Sequence, residues 1–196
     1  MEPKKIVIIG VGGQGNLLAT NLLGEAALSL GIPVVASEIH GMAQRGGIVE
    51  SAVLLGDINS PIISPGESDV FLSFEPLETL RGLNKCNRKT IVITNTRSLQ
   101  PFTAALGQGV YPPLKEIMSL IKDKIDNVIA FDASALAEEA GNPLSLNMVM
   151  LGALIGSNTT PISADEIKET ISASTKKAFL DSNLKAFDLG FAAVQQ

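Results

Sequence analysis

The stretch Ile6-Val7-Ile8-Ile9-Gly10-Val11-Gly12-Gly13-Gln14-Gly15 decides the fold class. Four consecutive branched apolar residues predict a strand buried on both faces. Glycines at 10, 12 and 15 then follow in G-x-G-x-x-G spacing, with a further one at 13. Beyond them, Leu18, Leu22 and Ala26, and likewise Ala19, Leu23 and Ala27, recur at offsets of four and predict a helix with a wide apolar face. Strand, glycine turn and helix thus come in the order of a Rossmann-type opening. Glycine there permits positive φ and close backbone approach. The helix start offers unpaired N–H groups and a positive dipole end to an anion.

Composition sets the bounds. At 196 residues the chain suits one α/β domain and is short for two, and no linker divides it, so residues 1–196 are read as a single domain. The apolar fraction of 45% predicts elements buried on one or both faces. No apolar run approaches the roughly 20 residues that span a bilayer. The first residues, Met1-Glu2-Pro3-Lys4-Lys5, run into the first strand without a signal-peptide pattern. A soluble, cytoplasmic protein is expected. The net charge of −5, with no basic tract, argues against nucleic acid as a partner. The single cysteine, Cys86, excludes an internal disulfide, and it is too few for an iron–sulfur cluster or a structural zinc. His40 is the only histidine, and no G-x-S-x-G segment supplies a serine for a triad built on it.

Outward from the first helix, Gly31-Ile32-Pro33 is a stop signal, and residues 34–37 form a short strand ending at Glu38. Glu38 stands 23 residues past Gly15, near the spacing of about 20 at which dinucleotide enzymes place the acid that holds a ribose. Residues 38–47 contain Gly41, Gly46 and Gly47, which oppose a long helix. A loop with closely approaching backbone is expected, with Arg45 as an anion clamp beside the N–H groups of Gly46 and Gly47. A surface turn with Arg45 paired to Glu38 is the plainer reading of the same residues. Residues 48–55 read as a strand, and Ile62-Ile63 as a short edge pairing, giving a β-hairpin where a crossover helix would stand.

Further strands are predicted at 69–74, 90–94 and 127–131. Pro76, Glu75 and Glu78 suit a helix start, and residues 97–112 a loop. Helices follow at 114–123, 133–140, 146–156, 164–172 and 176–194. The helix at 146–156 is apolar all round apart from Asn147, which marks a core or interface helix. Ser163 and Glu166 form a capping box. Asn95 and Asn147 are placed to line the cleft at strand or helix ends, and Cys86 is read as an inert, partly buried thiol. The fold class expected is α/β: a three-layer, doubly wound Rossmann-like domain with a mostly parallel sheet and an inserted β-hairpin.

Four segments together carry a resemblance: Gly10-Val11-Gly12-Gly13-Gln14-Gly15; the run from Glu38 through His40-Gly41-Met42-Ala43-Gln44-Arg45-Gly46-Gly47; Phe74-Glu75-Pro76-Leu77-Glu78-Thr79-Leu80-Arg81; and Gly141-Asn142-Pro143 with residues 147–152. Across nearly its whole length the chain resembles the gamma-type subunit or domain of the 2-oxoacid:ferredoxin oxidoreductases. The form at 40–47 is most similar to the indolepyruvate-type members. The resemblance implies a subunit of a complex that oxidatively decarboxylates a 2-oxoacid, here an arylpyruvate, to an acyl-coenzyme A and passes electrons to ferredoxin. It further implies that thiamine diphosphate (TPP) and the Fe–S clusters sit on partner subunits and that this chain is inactive alone. The sequence agrees with that division, lacking cluster cysteines and a Gly-Asp-Gly…Asn-Asn thiamine segment.

No cofactor is expected to be held tightly here. Coenzyme A (CoA) is the ligand implied for the turn, with Gly10, Gly12, Gly13, Gln14, Gly15, Glu38, Arg45, Gly46 and Gly47 as the binding candidates. Neither a catalytic residue nor a metal ligand is assigned to this chain. Two other readings stand beside it: a self-contained NAD-dependent dehydrogenase using Glu38, and a plain nucleotide-binding module. A homodimer is the alternative state of the isolated chain.

Overall fold

A computed structural model describes residues 3–41, 47–57, 60–100 and 109–195. The first strand, β1 (Lys4–Val11), is the inner strand that the apolar run predicts, with Ile6, Val7 and Ile8 wholly buried. It feeds through the glycine turn into α1 (Asn16–Ser29) and then β2 (Val34–His40). Next come β3 (Ile48–Leu55), β4 (Val70–Ser73), α2 (Pro76–Gly82), a 3₁₀ turn at Leu83–Lys85 and β5 (Ile91–Asn95). The chain continues through α3 (Leu114–Lys122), β6 (Asn127–Phe131), α4 (Ala133–Glu139) and a 3₁₀ turn at Pro143–Ser145. Three helices close it: α5 (Leu146–Gly156), α6 (Ala164–Ser174) and α7 (Lys177–Ala193).

The six strands form one sheet in the order β2-β3-β1-β4-β5-β6. β1, β4, β5 and β6 pair in parallel, while β3 runs antiparallel to both neighbours. Alternate residues of β1 feed two apolar layers. Ile6 and Ile8 join the layer containing residues of α1, α4, α5, α6 and α7, whereas Val7 and Ile9 join Phe71, Val92, Ile117 and Ile121. The three-layer α/β architecture is as expected. Every residue of α5 is buried, so its lack of a polar face reflects the core. The Ser163–Glu166 capping box is present with both of its hydrogen bonds. Among the described residues no helix is long and apolar enough to cross a membrane.

The inserted hairpin differs from expectation. It consists of β2 and β3, paired from Val34 opposite Leu55 to His40 opposite Val49, while residues 60–66 form no strand. Proline at 61 and 65 deprives that segment of ladder donors, and Ile63 instead tucks under the sheet as core. β2 also extends to His40, so Glu38 lies within the strand rather than at its end.

Candidate ligand site at the glycine turn

Residues 12–15 leave the carboxyl end of β1 and enter α1. Gly13 has φ 101° and Gly15 has φ 87°, both in the left-handed region that favours glycine. Gly15 is the N-cap of α1, and no side chain caps that helix. Among the described residues nothing accepts a hydrogen bond from the N–H groups of Asn16, Leu17 and Leu18, which an α-helix leaves free at its start. Among the described residues, no atom lies within 4 Å of a Cβ built on Gly13. A helix start of this kind can accept an anion through its main-chain N–H groups.

Three contacts hold the turn from behind. The Gly12 N–H donates to the Gly47 carbonyl at 2.9 Å, so the loop after β2 does meet the turn at Gly47. Gln14 faces inward: its Oε1 accepts from the Val11 N–H at 2.8 Å and its Nε2 donates to the Phe74 carbonyl at 3.1 Å. Asn147, at the start of buried α5, lies so close that a Cβ on Gly15 would stand 2.6 Å from its Nδ2. Gly10 is crowded in a similar way. A Cβ there would stand 2.9 Å from both Asn16 Oδ1 and Gln14 Oε1.

The neighbouring strand ends are equally specified. Asn95, 1% exposed at the end of β5, donates from Nδ2 to the Phe74 carbonyl at 3.1 Å and to Ser134 Oγ at 3.0 Å. Its Oδ1 accepts from the N–H groups of Ala133 and Arg97. Glu75 is the N-cap of α2, as the helix-start reading requires, and accepts from the N–H groups of Leu77 and Glu78. It also accepts from the Leu99 N–H and the Tyr111 hydroxyl, contacts with no local sequence signal. Burial, and then the hydrogen bond to Glu75, push the Tyr111 phenol up. Burial also holds the Glu78 carboxyl above the ordinary range, outweighing the adjacent Arg81 guanidinium.

The turn therefore assembles Gly10, Gly12, Gly13, Gln14, Gly15 and Gly47. Glu38 is not brought to it. Glu38 pairs with Ser51, which pairs with Ile8, so β3 lies between it and β1, a separation of about 10 Å across the sheet. The ribose-holding role expected for Glu38 needs β2 beside β1, and the antiparallel β3 removes that adjacency. Arg45 and Gly46 lie outside the described residues.

Fold and turn together define a Rossmann-like α/β protein in which a glycine-lined turn joins β1 to α1. Residues 5–193 match the pyruvate ferredoxin/flavodoxin oxidoreductase family, and the chain belongs to that family. It is 43% identical to indolepyruvate oxidoreductase subunit IorB of Pyrococcus horikoshii, over 100% of this chain and 98% of the relative. Its fold is similar to the keto/oxoacid ferredoxin oxidoreductase gamma subunit of Geobacter sulfurreducens, with TM-score 0.70 and 23% identity over 97% of this chain and 98% of that one. It is also similar to the 2-oxoglutarate:ferredoxin oxidoreductase of Magnetococcus marinus, whose structure has 2-oxoglutarate, coenzyme A and succinyl-CoA bound. There the TM-score is 0.73 at 23% identity, over 99% of this chain and 31% of that one.

Proposed function

We propose that the chain is the Rossmann-like subunit of a cytoplasmic 2-oxoacid:ferredoxin oxidoreductase complex acting on indolepyruvate and related arylpyruvates, and that its glycine turn takes the pyrophosphate of coenzyme A. The observation that carries the ligand assignment is the uncapped start of α1: its first N–H groups have no acceptor, and a Cβ on Gly13 meets no crowding atom, among the described residues. The 43% identity, over its full length, to a relative named for indolepyruvate supports the substrate class. The residues present fit a pyrophosphate: Gly13 leaves the approach clear of described atoms, and the N–H groups of Asn16, Leu17 and Leu18 have no acceptor among the described residues. Arg45, by its sequence position, is assigned a second hold on the phosphates. Bound coenzyme A supplies the thiol that accepts the acyl group.

Iron–sulfur clusters do not fit this chain. Its one cysteine, Cys86, is half-buried with its thiol held protonated by burial. Electron transfer to ferredoxin and the thiamine chemistry are accordingly assigned to partner subunits, and this chain contributes structure and the acceptor-ligand site. The dehydrogenase reading loses its support with the displacement of Glu38.

An affinity pull-down of the tagged chain from its native host under anaerobic conditions tests the complex. A stoichiometric partner carrying thiamine diphosphate and iron is expected. A clean homo-oligomer with neither would overturn the proposal.

A further inference from the structure

We propose that Asn95 is a positioning residue for the ligand turn: from the end of β5 it sets, through the Phe74 carbonyl and Gln14, the direction of the main-chain N–H groups at the start of α1. The inference rests on the reading of that turn as the coenzyme A site. The Phe74 carbonyl accepts two hydrogen bonds of equal length, 3.1 Å from Gln14 Nε2 and 3.1 Å from Asn95 Nδ2. Its two lone pairs are thereby committed, one to the turn and one to β5. Phe74 is itself fixed, with its ring buried and its N–H donated to the Ile9 carbonyl.

Gln14 passes the constraint on. Its Oε1 holds the Val11 N–H, and the amide lies against Gly10, where a Cβ would stand 2.9 Å from that oxygen. A shift of the Phe74 carbonyl is therefore transmitted to residues 11–14. Asn95 is anchored at Oδ1 by the N–H groups of Ala133 and Arg97, and its Nδ2, which reaches the Phe74 carbonyl, also donates to Ser134 Oγ. It thus ties the ends of β1, β4 and β5 and the start of α4 into one hydrogen-bonded bracket behind the turn. Asn95 is buried with its amide committed to protein groups, and its effect on binding passes through Gln14.

The test uses the complex of this chain with its partner subunits and follows arylpyruvate-dependent dye reduction as coenzyme A is varied. Asn95→Ala is expected to raise the KM for coenzyme A about 3- to 10-fold, the range of one hydrogen bond, with kcat and the KM for the oxoacid within about twofold. Asn95→Ser replaces it if Asn95→Ala fails to fold. Gln14→Met should raise the same KM, and the double variant should fall short of the product of the two, because both act through one carbonyl.

Gly13→Ala tests the underlying reading separately, since its Cβ meets no described atom within 4 Å and, at φ 101°, the substitution strains the turn itself. If Gly13→Ala raises the KM for coenzyme A and the Asn95 variants do not, or if Asn95 and Gln14 effects multiply fully, the positioning role is overturned. If Gly13→Ala also leaves that KM unchanged, the coenzyme A assignment itself is overturned.

Discussion

Burial alone decides what Cys86 can do. It follows the 3₁₀ turn at Leu83–Lys85, packs against the apolar layer of α2 and α3, and has its thiol pKa pushed up to about 11 from 9.0 by loss of solvent. The thiolate is the reactive form, so at pH 8 the native protein should react with a thiol reagent about 100-fold more slowly than the unfolded chain. Because a raised pKa moves the deprotonation upward, the native rate should keep climbing tenfold per pH unit above pH 9, where an ordinary thiol levels off. Stopped-flow labelling at several pH values checks this, and a plateau near pH 9 would contradict it. The inert thiol was legible from sequence as a lone cysteine after a helix. The inward turn of Gln14 was not, because a glutamine between two glycines reads equally well as a ligand contact. Only the position of the Phe74 carbonyl, 60 residues away, separates the two readings.

At the scale of elements, the packing of α5 against α7 depends on glycines. A Cβ on Gly152 would stand 2.1 Å from the Phe187 carbonyl oxygen, and one on Gly190 would stand 1.9 Å from that of Val149. Each helix thus presses its glycine onto the other's backbone, which flexible side chains cannot relieve. Gly152→Ala should therefore cost more than about 3 kcal/mol in a urea titration, beyond ordinary overpacking. Gly24→Ala, inside α1 with nothing within 4 Å of the new Cβ, should instead stabilise by about 0.5–1 kcal/mol. Equal effects at both positions would refute this account of the crossing. Sequence periodicity found α5 and its apolar character but not its partner, since a helix apolar all round carries no face to say what covers it. The same limit explains Ile62-Ile63. Two adjacent branched residues suggest a strand, but the flanking prolines direct Ile63 into the core without a ladder.

Over the whole molecule the placement of β3 has the widest consequence. By entering antiparallel between β2 and β1 it leaves the glycine turn of a dinucleotide fold in place and moves β2 one strand away from it. NADH at about 1 mM, the upper end of common KM values, should therefore leave the melting temperature and the NADH fluorescence unchanged on mixing with the chain. A melting shift of several degrees would restore the dehydrogenase reading.

The sequence by itself determined the strand–glycine turn–helix opening, the mostly parallel α/β class, the capping box of α6 and the uncapped start of α1. Those features are set by residues within a few positions of one another, through φ preference, apolar periodicity and free N–H groups. Only the tertiary structure decided that β2 and β3 are the hairpin, that Glu38 lies a strand away from the turn, and that Asn95, Phe74 and Gln14 form one bracket behind it. Strand order and hydrogen bonds between distant segments depend on which faces are buried together, and local pattern does not encode that choice.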